Sequence, residues 1–294
     1  MLANESIVPS DTRTLSPGQV GAVNGWGVFS TLRIHRGILF AWERHYARML
    51  SDAKKLRIPF PADPNFMAAQ LHGLIQANQA WDSTLRLIVM RNKGGMWEGP
   101  GIQQPFDLIA FTTNLKNWGS SLRLGLLKDA RHAASPFAGT KVLSWSFNLC
   151  MYENAHDQGY DEVVLLNEHG EVSELTSANI FAVYGNEVVT PGLNSGCLPG
   201  VTRALLLEEI RVPGITVREA KLYPSDLERA DGVFITSSTR DLLSVNSIEG
   251  IAIREENRIR PALNDAFQQY LRQYCESRSS AAHPAFVSPD AVSR

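Results

Sequence analysis

Between Glu162 and Thr190 the chain leaves almost no room for anything but tight turns. Glu162–Asn167 is apolar and is followed by the turn Glu168-His169-Gly170 and then by Glu171–Glu174. Ile180–Tyr184 comes next, then the turn Gly185-Asn186 and the run Glu187–Thr190. Short runs rich in Val and Ile, joined through glycine turns, predict antiparallel hairpins, because so few residues cannot make a helical crossover. The rest of the chain mixes both kinds of element without a strict βαβα alternation, so the predicted class is α+β.

Upstream, Val23 to Arg36 reads as strand and turn through Val28, Phe29, Leu32 and Ile34, followed by a turn at Arg36-Gly37 and the run Ile38-Leu39-Phe40. A helix is predicted over Glu43–Leu56, with Trp42, Tyr46, Met49, Leu50 and Ala53 as its apolar stripe and Pro59 and Pro61 as its stop. Arg48 falls well off that stripe. A second helix is expected over Asn65–Asn78, with strands at Ser83–Arg91 and Asp107–Thr113. The polar stretch Asn114–Ser120 divides two blocks of strand-like sequence. We therefore expect a smaller α/β domain over 1–113, a linker over 114–120, and a larger β-rich domain over 121–276. Helices are expected near Ser146–Asp157, after Pro199-Gly200, at Pro224–Arg229 and at Pro261–Cys275, and strands at Leu122–Leu127, Gly214–Leu222 and Gly232–Thr236. From about Ser277 to Arg294 the residues read as a loose tail. A chain of 294 residues suits two modest domains or one large one.

Several classes drop out. A net charge of −2 and a pI near 6.4 give no broad reason to favour nucleic acid or an anionic membrane. No apolar run has a bilayer-spanning length, and the first residues lack a secretory pattern. Cys150, Cys197 and Cys275 are scattered, as expected of free thiols in a reducing cytoplasm, and no Cys/His cluster suggests a metal. Gly25-Trp26-Gly27 begins like a dinucleotide loop, but Ser30 stands where the third glycine belongs. Gly192-Leu193-Asn194-Ser195-Gly196 places its serine one residue late for a nucleophile elbow.

Three features carry chemistry. Lys141, one of seven lysines, precedes an apolar stretch, where burial would turn it into a usable amine. Glu174 ends one hairpin strand just before another begins, a place from which a carboxylate can enter a cleft. Leu198-Pro199-Gly200-Val201-Thr202-Arg203 opens a helix whose first-turn N–H groups lack a side-chain cap and suit an anion. Taken singly, each has an ordinary reading: a snorkelling lysine, a solvated glutamate, a helix start.

Their order and spacing resemble the class IV aminotransferases, the fold-type IV enzymes dependent on pyridoxal 5′-phosphate (PLP). The signature reads Glu174, Thr176, Asn179, Ile180-Phe181, Thr190, Leu198 and Gly200-Val201-Thr202-Arg203 without a break. Gly27–Arg33, the helix Trp42–Met49 with its H-x-x-R-[LM] pattern, Gly159–Glu162 and Phe234–Ser238 also match. The resemblance implies the two-domain PLP fold of type IV and a homodimer acting on small amino and 2-oxo acids. It implies that Lys141 forms the aldimine and moves the proton, and that Glu174 pairs with the pyridine nitrogen. Arg48, Val201, Thr202, Ser237 and Ser238 would hold the phosphate, with Asn179 in the same cofactor set.

The family includes branched-chain and D-amino-acid aminotransferases, amine transaminases and 4-amino-4-deoxychorismate lyase. The chain departs from the branched-chain pattern at Asn24, at Ser30, where a glutamate is common, and at Trp145 and Ser146, where a tyrosine is expected. Ser244 stands where proline is usual. Arg91-Asn92-Lys93-Gly94-Gly95 resembles a loop of the D-amino-acid enzymes and the lyases, and Phe29-Ser30-Thr31 leans toward the lyase. Substrate contacts are expected from Phe29, Thr31, Arg91, Trp145, Thr239 and Arg240, with Arg91 or Arg240 meeting a carboxylate. A transaminase is the first reading and the lyase the second.

Overall fold

Burial alternates with period two along Ser83–Arg91, and that rhythm builds the first half of the molecule. The structure, a computed structural model, describes residues 1–96, 98–254 and 258–282. The first elements are β1 (Leu2–Ala3), β2 (Ser6–Ile7), α1 (Val20–Asn24), β3 (Gly27–His35), β4 (Ile38–Leu39), α2 (Trp42–Lys55), α3 (Pro64–Ala77), β5 (Ser83–Arg91) and β6 (Phe106–Asn114). Their strands form a six-stranded antiparallel sheet in the order β2-β1-β6-β5-β3-β4. Leu85, Leu87 and Val89 of β5 join Val28, Leu32 and Ile34 of β3 against Met49, Leu71 and Leu74 of the two helices. Asp63 caps α3 by accepting the Asn65 and Phe66 N–H groups at 2.8 and 3.2 Å.

Residues 115–120 lead from β6 to the second sheet. Its elements are β7 (Ser121–Arg131), α4 (Ser146–Asp157), β8 (Glu162–Asn167), β9 (Val172–Leu175), β10 (Asn179–Tyr184), β11 (Glu187–Thr190), α5 (Val201–Glu208), β12 (Thr216–Glu219), α6 (Pro224–Arg229), β13 (Gly232–Ser237), β14 (Asp241–Ile248), β15 (Ile251–Ala252) and α7 (Ile259–Ala282). The strands run β12-β11-β10-β13-β14-β7-β8-β9, with β15 on β14. Both faces are covered, which is why β8 and β10 read as continuous apolar runs. Ile180 and Ala182 pack on one face with Leu166 and Ile235, while Phe181 and Val183 pack on the other with α5 and α7. Phe181 and Phe234 stack there, centroids 5.0 Å apart.

Among the contacts that join the halves, two lie outside the cleft. Ile38, Phe40 and Ala41 enter the core shared by α5 and α7. Arg33 Nη1 lies 2.5 Å from Asp241 Oδ1, whose Oδ2 accepts from Gln268 on α7 at 2.9 Å.

Four expectations need correction. Val23 and Asn24 lie in the short helix α1, and the strand begins at Gly27. Leu50 is exposed, while His45 and Asp52 are buried in its place, because α2 faces the cleft as well as the core. β14 was not foreseen; its Ser244 and Asn246 interrupt the apolar pattern, and β13 and β7 pair it into place. The closing helix starts at Ile259 and reaches Ala282, six residues into the stretch read as tail; the remainder, 283–294, lies outside the described residues.

Candidate active site

Along β3, Val28, Leu32 and Ile34 point into the core, so Phe29, Thr31 and Arg33 share the opposite face. Phe29 and Thr31 line a cavity of about 550 Å³ between the two sheets. Arg48, Arg86, Lys141, Trp145, Glu174, Asn179, Val201, Thr202 and the turn Ser237, Ser238, Thr239, Arg240 line it too. Every predicted site residue except Arg91 meets there.

Lys141 follows the linker in sequence but is stitched to the first sheet. Its carbonyl accepts the Phe29 N–H at 3.2 Å, Val142 bridges Val28, and the Leu143 N–H bonds to the Gly27 carbonyl at 2.7 Å. Gly25 makes the approach possible: its φ is +63°, and a Cβ there would lie 2.8 Å from Ser144 Cα. The Lys141 amine sits 4.6 Å from the Phe29 ring centroid and 5.7 Å from that of Trp145. Among the described residues no carboxylate lies within ion-pair distance of it. Desolvation, followed by the Arg48 charge, pushes its pKa down to about 7 against an opposing pull from Glu174.

Glu174, on β9, is held from both sides. Arg131 Nε approaches Oε1 at 3.0 Å, and the Leu198 N–H donates to Oε2 at 3.0 Å. Such charge-assisted bonds fix the carboxylate's direction.

The third part is the start of α5. Gly200 precedes it without a side-chain cap, so the first-turn N–H groups stay open to an anion. A Cβ at Gly200 would lie 2.0 Å from Asn179 Oδ1, so a larger residue would push Asn179 out of place. Asn179 itself donates to the Leu198 carbonyl at 2.9 Å and shapes the approach to the helix. Arg48 reaches over from α2, donating to Ser30 Oγ at 2.9 Å and to the Pro199 carbonyl at 3.5 Å. Burial lowers its pKa to about 10. Ser30 Oγ is also 2.7 Å from Nδ1 of His45, which burial and the Arg48 charge hold far below the usual histidine range. Arg48 Nε, Thr140 Oγ1, Thr236 Oγ1 and Ser237 Oγ are buried without a hydrogen-bond partner among the described residues. Together with the open helix start, these unsatisfied donors suit a phosphate dianion.

Arg240 donates to Ser177 Oγ at 2.8 Å, stacks 3.8 Å over Trp118 and lies 3.7 Å from Glu162, leaving Nε unpartnered. Arg91 is a correction. Its guanidinium is spent on the Lys93 and Arg57 carbonyls at 2.6 and 2.8 Å and on the Trp26 ring at 4.2 Å, away from the cavity.

Sequence reasoning missed Arg86, which lies 3.9 Å over the Phe29 ring. It has no hydrogen-bond or ion-pair partner among the described residues, and burial lowers its pKa. Its signal was a charged residue at the alternate position of an apolar strand, Leu85-Arg86-Leu87. Arg131 was missed as well, since nothing in its neighbourhood shows that β7 runs on to meet Glu174.

A family model, Amino-transferase class IV, matches residues 27–248. The chain is 28% identical over 233 residues to D-alanine aminotransferase of Bacillus licheniformis, covering 78% of this chain and 81% of that one. It is 27% identical over 246 residues to branched-chain-amino-acid aminotransferase of Escherichia coli K12, covering 79% of each. A solved structure from Legionella pneumophila, described as a candidate 4-amino-4-deoxychorismate lyase, superposes with a TM-score of 0.81 at 25% identity, over 88% of this chain and 96% of that one.

Proposed function

The chain belongs to the class IV aminotransferases, enzymes that use pyridoxal 5′-phosphate, and on that premise we propose that it moves an amino group between an amino acid, of branched-chain or D type, and a 2-oxo acid. The observation that carries the reading is Lys141: an amine lining the cavity, without a carboxylate partner among the described residues, its pKa lowered to about 7. At neutral pH such an amine is poised both to attack a carbonyl carbon and to take up or return a proton.

When bound, PLP supplies the electron-accepting ring that makes the hydrogen on an amino acid's α-carbon acidic. The residues present fit it. Lys141 would hold the aldehyde carbon, and Glu174, oriented by Arg131 and the Leu198 N–H, would hold the ring nitrogen. Arg48, Val201, Thr202, Ser237 and Ser238 would hold the phosphate, with Asn179 fixing the loop beside them. Lys141 Nζ would then carry the proton between substrate and cofactor. Phe29, Thr31, Trp145 and Thr239 would shape the substrate pocket. Arg86 or Arg240 would meet a carboxylate, and Arg86 is the better placed of the two because its guanidinium, over the Phe29 ring, has no hydrogen-bond or ion-pair partner among the described residues.

The lyase reading, elimination of pyruvate from 4-amino-4-deoxychorismate to give 4-aminobenzoate, stays second. The Legionella relative and the Phe29-Ser30-Thr31 strand favour it. Adding single D- and L-amino acids to the yellow protein separates the two. Loss of the visible band with one donor marks a transaminase and names its substrate class. Indifference to all of them, with pyruvate release from aminodeoxychorismate, marks the lyase. A protein that PLP cannot turn yellow would refute both.

We further propose a homodimer. Helix α4 exposes Phe147 and buries only Ala155, so a second copy is the natural cover for the exposed ring. Cys150, Cys197 and Cys275, scattered and without a framework spacing, fit a reducing cytoplasm, and no helix among the described residues is long and apolar enough to cross a membrane. A net charge of −2 supports neither nucleic acid nor an anionic membrane as a partner.

A further inference from the structure

Asp52 is a buried charge that the chemistry above does not use. It lies on α2 one turn beyond Arg48 and is 2% exposed. Its Oδ2 accepts the backbone N–H of Lys141 at 3.2 Å, and no side chain among the described residues donates to it. A carboxylate kept out of water with a single N–H partner is costly unless cations stand beside it. Those facing it are Arg48 and Lys55 on its own helix and Lys141 across the gap.

The amine's surroundings are correspondingly unequal. Arg48 and neutral His45 face it from α2, Arg86 from β5 and Glu174 from β9. Burial and then two guanidinium groups drive its proton off, and Glu174 and Asp52 oppose them. Asp52 is the one of these groups that also touches the lysine's backbone. We propose that Asp52 is a positioning residue for Lys141: its carboxylate pins the strip of backbone that carries the amine to helix α2, and its charge offsets Arg48 beside that amine. The proposal rests on the reading of Lys141 as the reacting group.

Asp52→Asn keeps an oxygen for the Lys141 N–H but removes the charge, and Asp52→Ala removes both. The measurement is the pH dependence of Lys141 acetylation in full-length, cofactor-free protein, read by mass spectrometry with the exposed lysines as internal standards. The midpoint should fall by about one unit in both variants, because an anion that favours the charged amine has gone. PLP affinity, followed by absorbance, should weaken about tenfold in Asp52→Ala and stay within about threefold of wild type in Asp52→Asn, since only Ala loosens the backbone. An unshifted midpoint in Asp52→Asn overturns the proposal, and so does equal loss of affinity in the two variants. If Asp52→Ala does not fold, the Asn midpoint still decides. Failure of the underlying reading looks different: wild-type Lys141 would acetylate like an exposed lysine, and Lys141→Met would still form the yellow complex.

Discussion

Asp241→Asn removes one charge from the joint between the two sheets and little else. Asp241 has φ +53°, a left-handed conformation that Asn tolerates as well as Asp, so the backbone should not object. The amide can still accept from Gln268. What disappears is the ion pair with Arg33, whose side chains are 17% and 26% exposed. Fully exposed pairs contribute about 0.2–1 kcal/mol, and breaking a buried one costs about 3–5 kcal/mol. A half-buried pair belongs between, with a coupling of about 1.5 kcal/mol. Concretely, Asp241→Asn and Arg33→Met should each cost about 2 kcal/mol and the double variant about 2.5 kcal/mol, a coupling worth about tenfold in the folding equilibrium. Urea denaturation of the four proteins, followed by tryptophan fluorescence and circular dichroism, measures it. Repetition at high salt should leave the coupling nearly intact, because partly buried pairs are screened weakly. A coupling under about 0.5 kcal/mol, or one that salt abolishes, would refute the idea that this pair ties the sheets together.

Cofactor-free Lys141→Met should be more stable than wild type at pH 6, with the difference closing as pH rises. The amine's folded pKa is lowered from 10.5 to about 7, so between those values the folded state binds fewer protons than the unfolded chain and wild-type stability climbs. A gap of a few kcal/mol at most is expected in urea midpoints, and one that stays constant with pH contradicts the assignment. Gly25→Ala should cost about 2 kcal/mol through its positive φ and the nearby Ser144, and a melting temperature within about 1 °C of wild type would argue against that close approach. Ser237→Ala should leave melting unchanged, because its hydroxyl has no hydrogen-bond partner among the described residues, yet weaken PLP retention about fivefold. Unaltered retention would remove Ser237 from the phosphate site.

Legibility followed the range of the forces involved. The hairpins between Glu162 and Thr190 and the strand Ser83–Arg91 could be read because apolar pattern and turn residues are local. The opening of α5 could be read for the same reason: Pro, Gly and the following helix formers sit side by side. β14 could not, because Asp241, Ser244 and Asn246 dilute its pattern and its neighbours β13 and β7 supply the reason to be a strand. On α2 the rule that buried means apolar failed at His45 and Asp52, which face other polar groups at the cleft. Lys141, Glu174 and the α5 start were found through their motif, whereas Arg86 and Arg131 depend on which strand lies across from which. Arg91 looked like a site residue in a glycine-rich loop, but it hydrogen-bonds to the Lys93 and Arg57 carbonyls instead of lining the cavity.

The strip around Lys141 has a second consequence, for solubility. β4 covers the outer edge of β3 only at Ile34 and His35, leaving Gly27 to Phe29 without a strand of their own sheet on that side. Residues 141–143 occupy that edge. Any fragment that ends before them presents unpaired N–H and C=O groups flanked by Val28 and Phe29, a ready template for another chain. The backbone that delivers the amine thus also closes an adhesive border of the first sheet, and a lesion that frees it should show itself as aggregation before it shows itself as slow turnover.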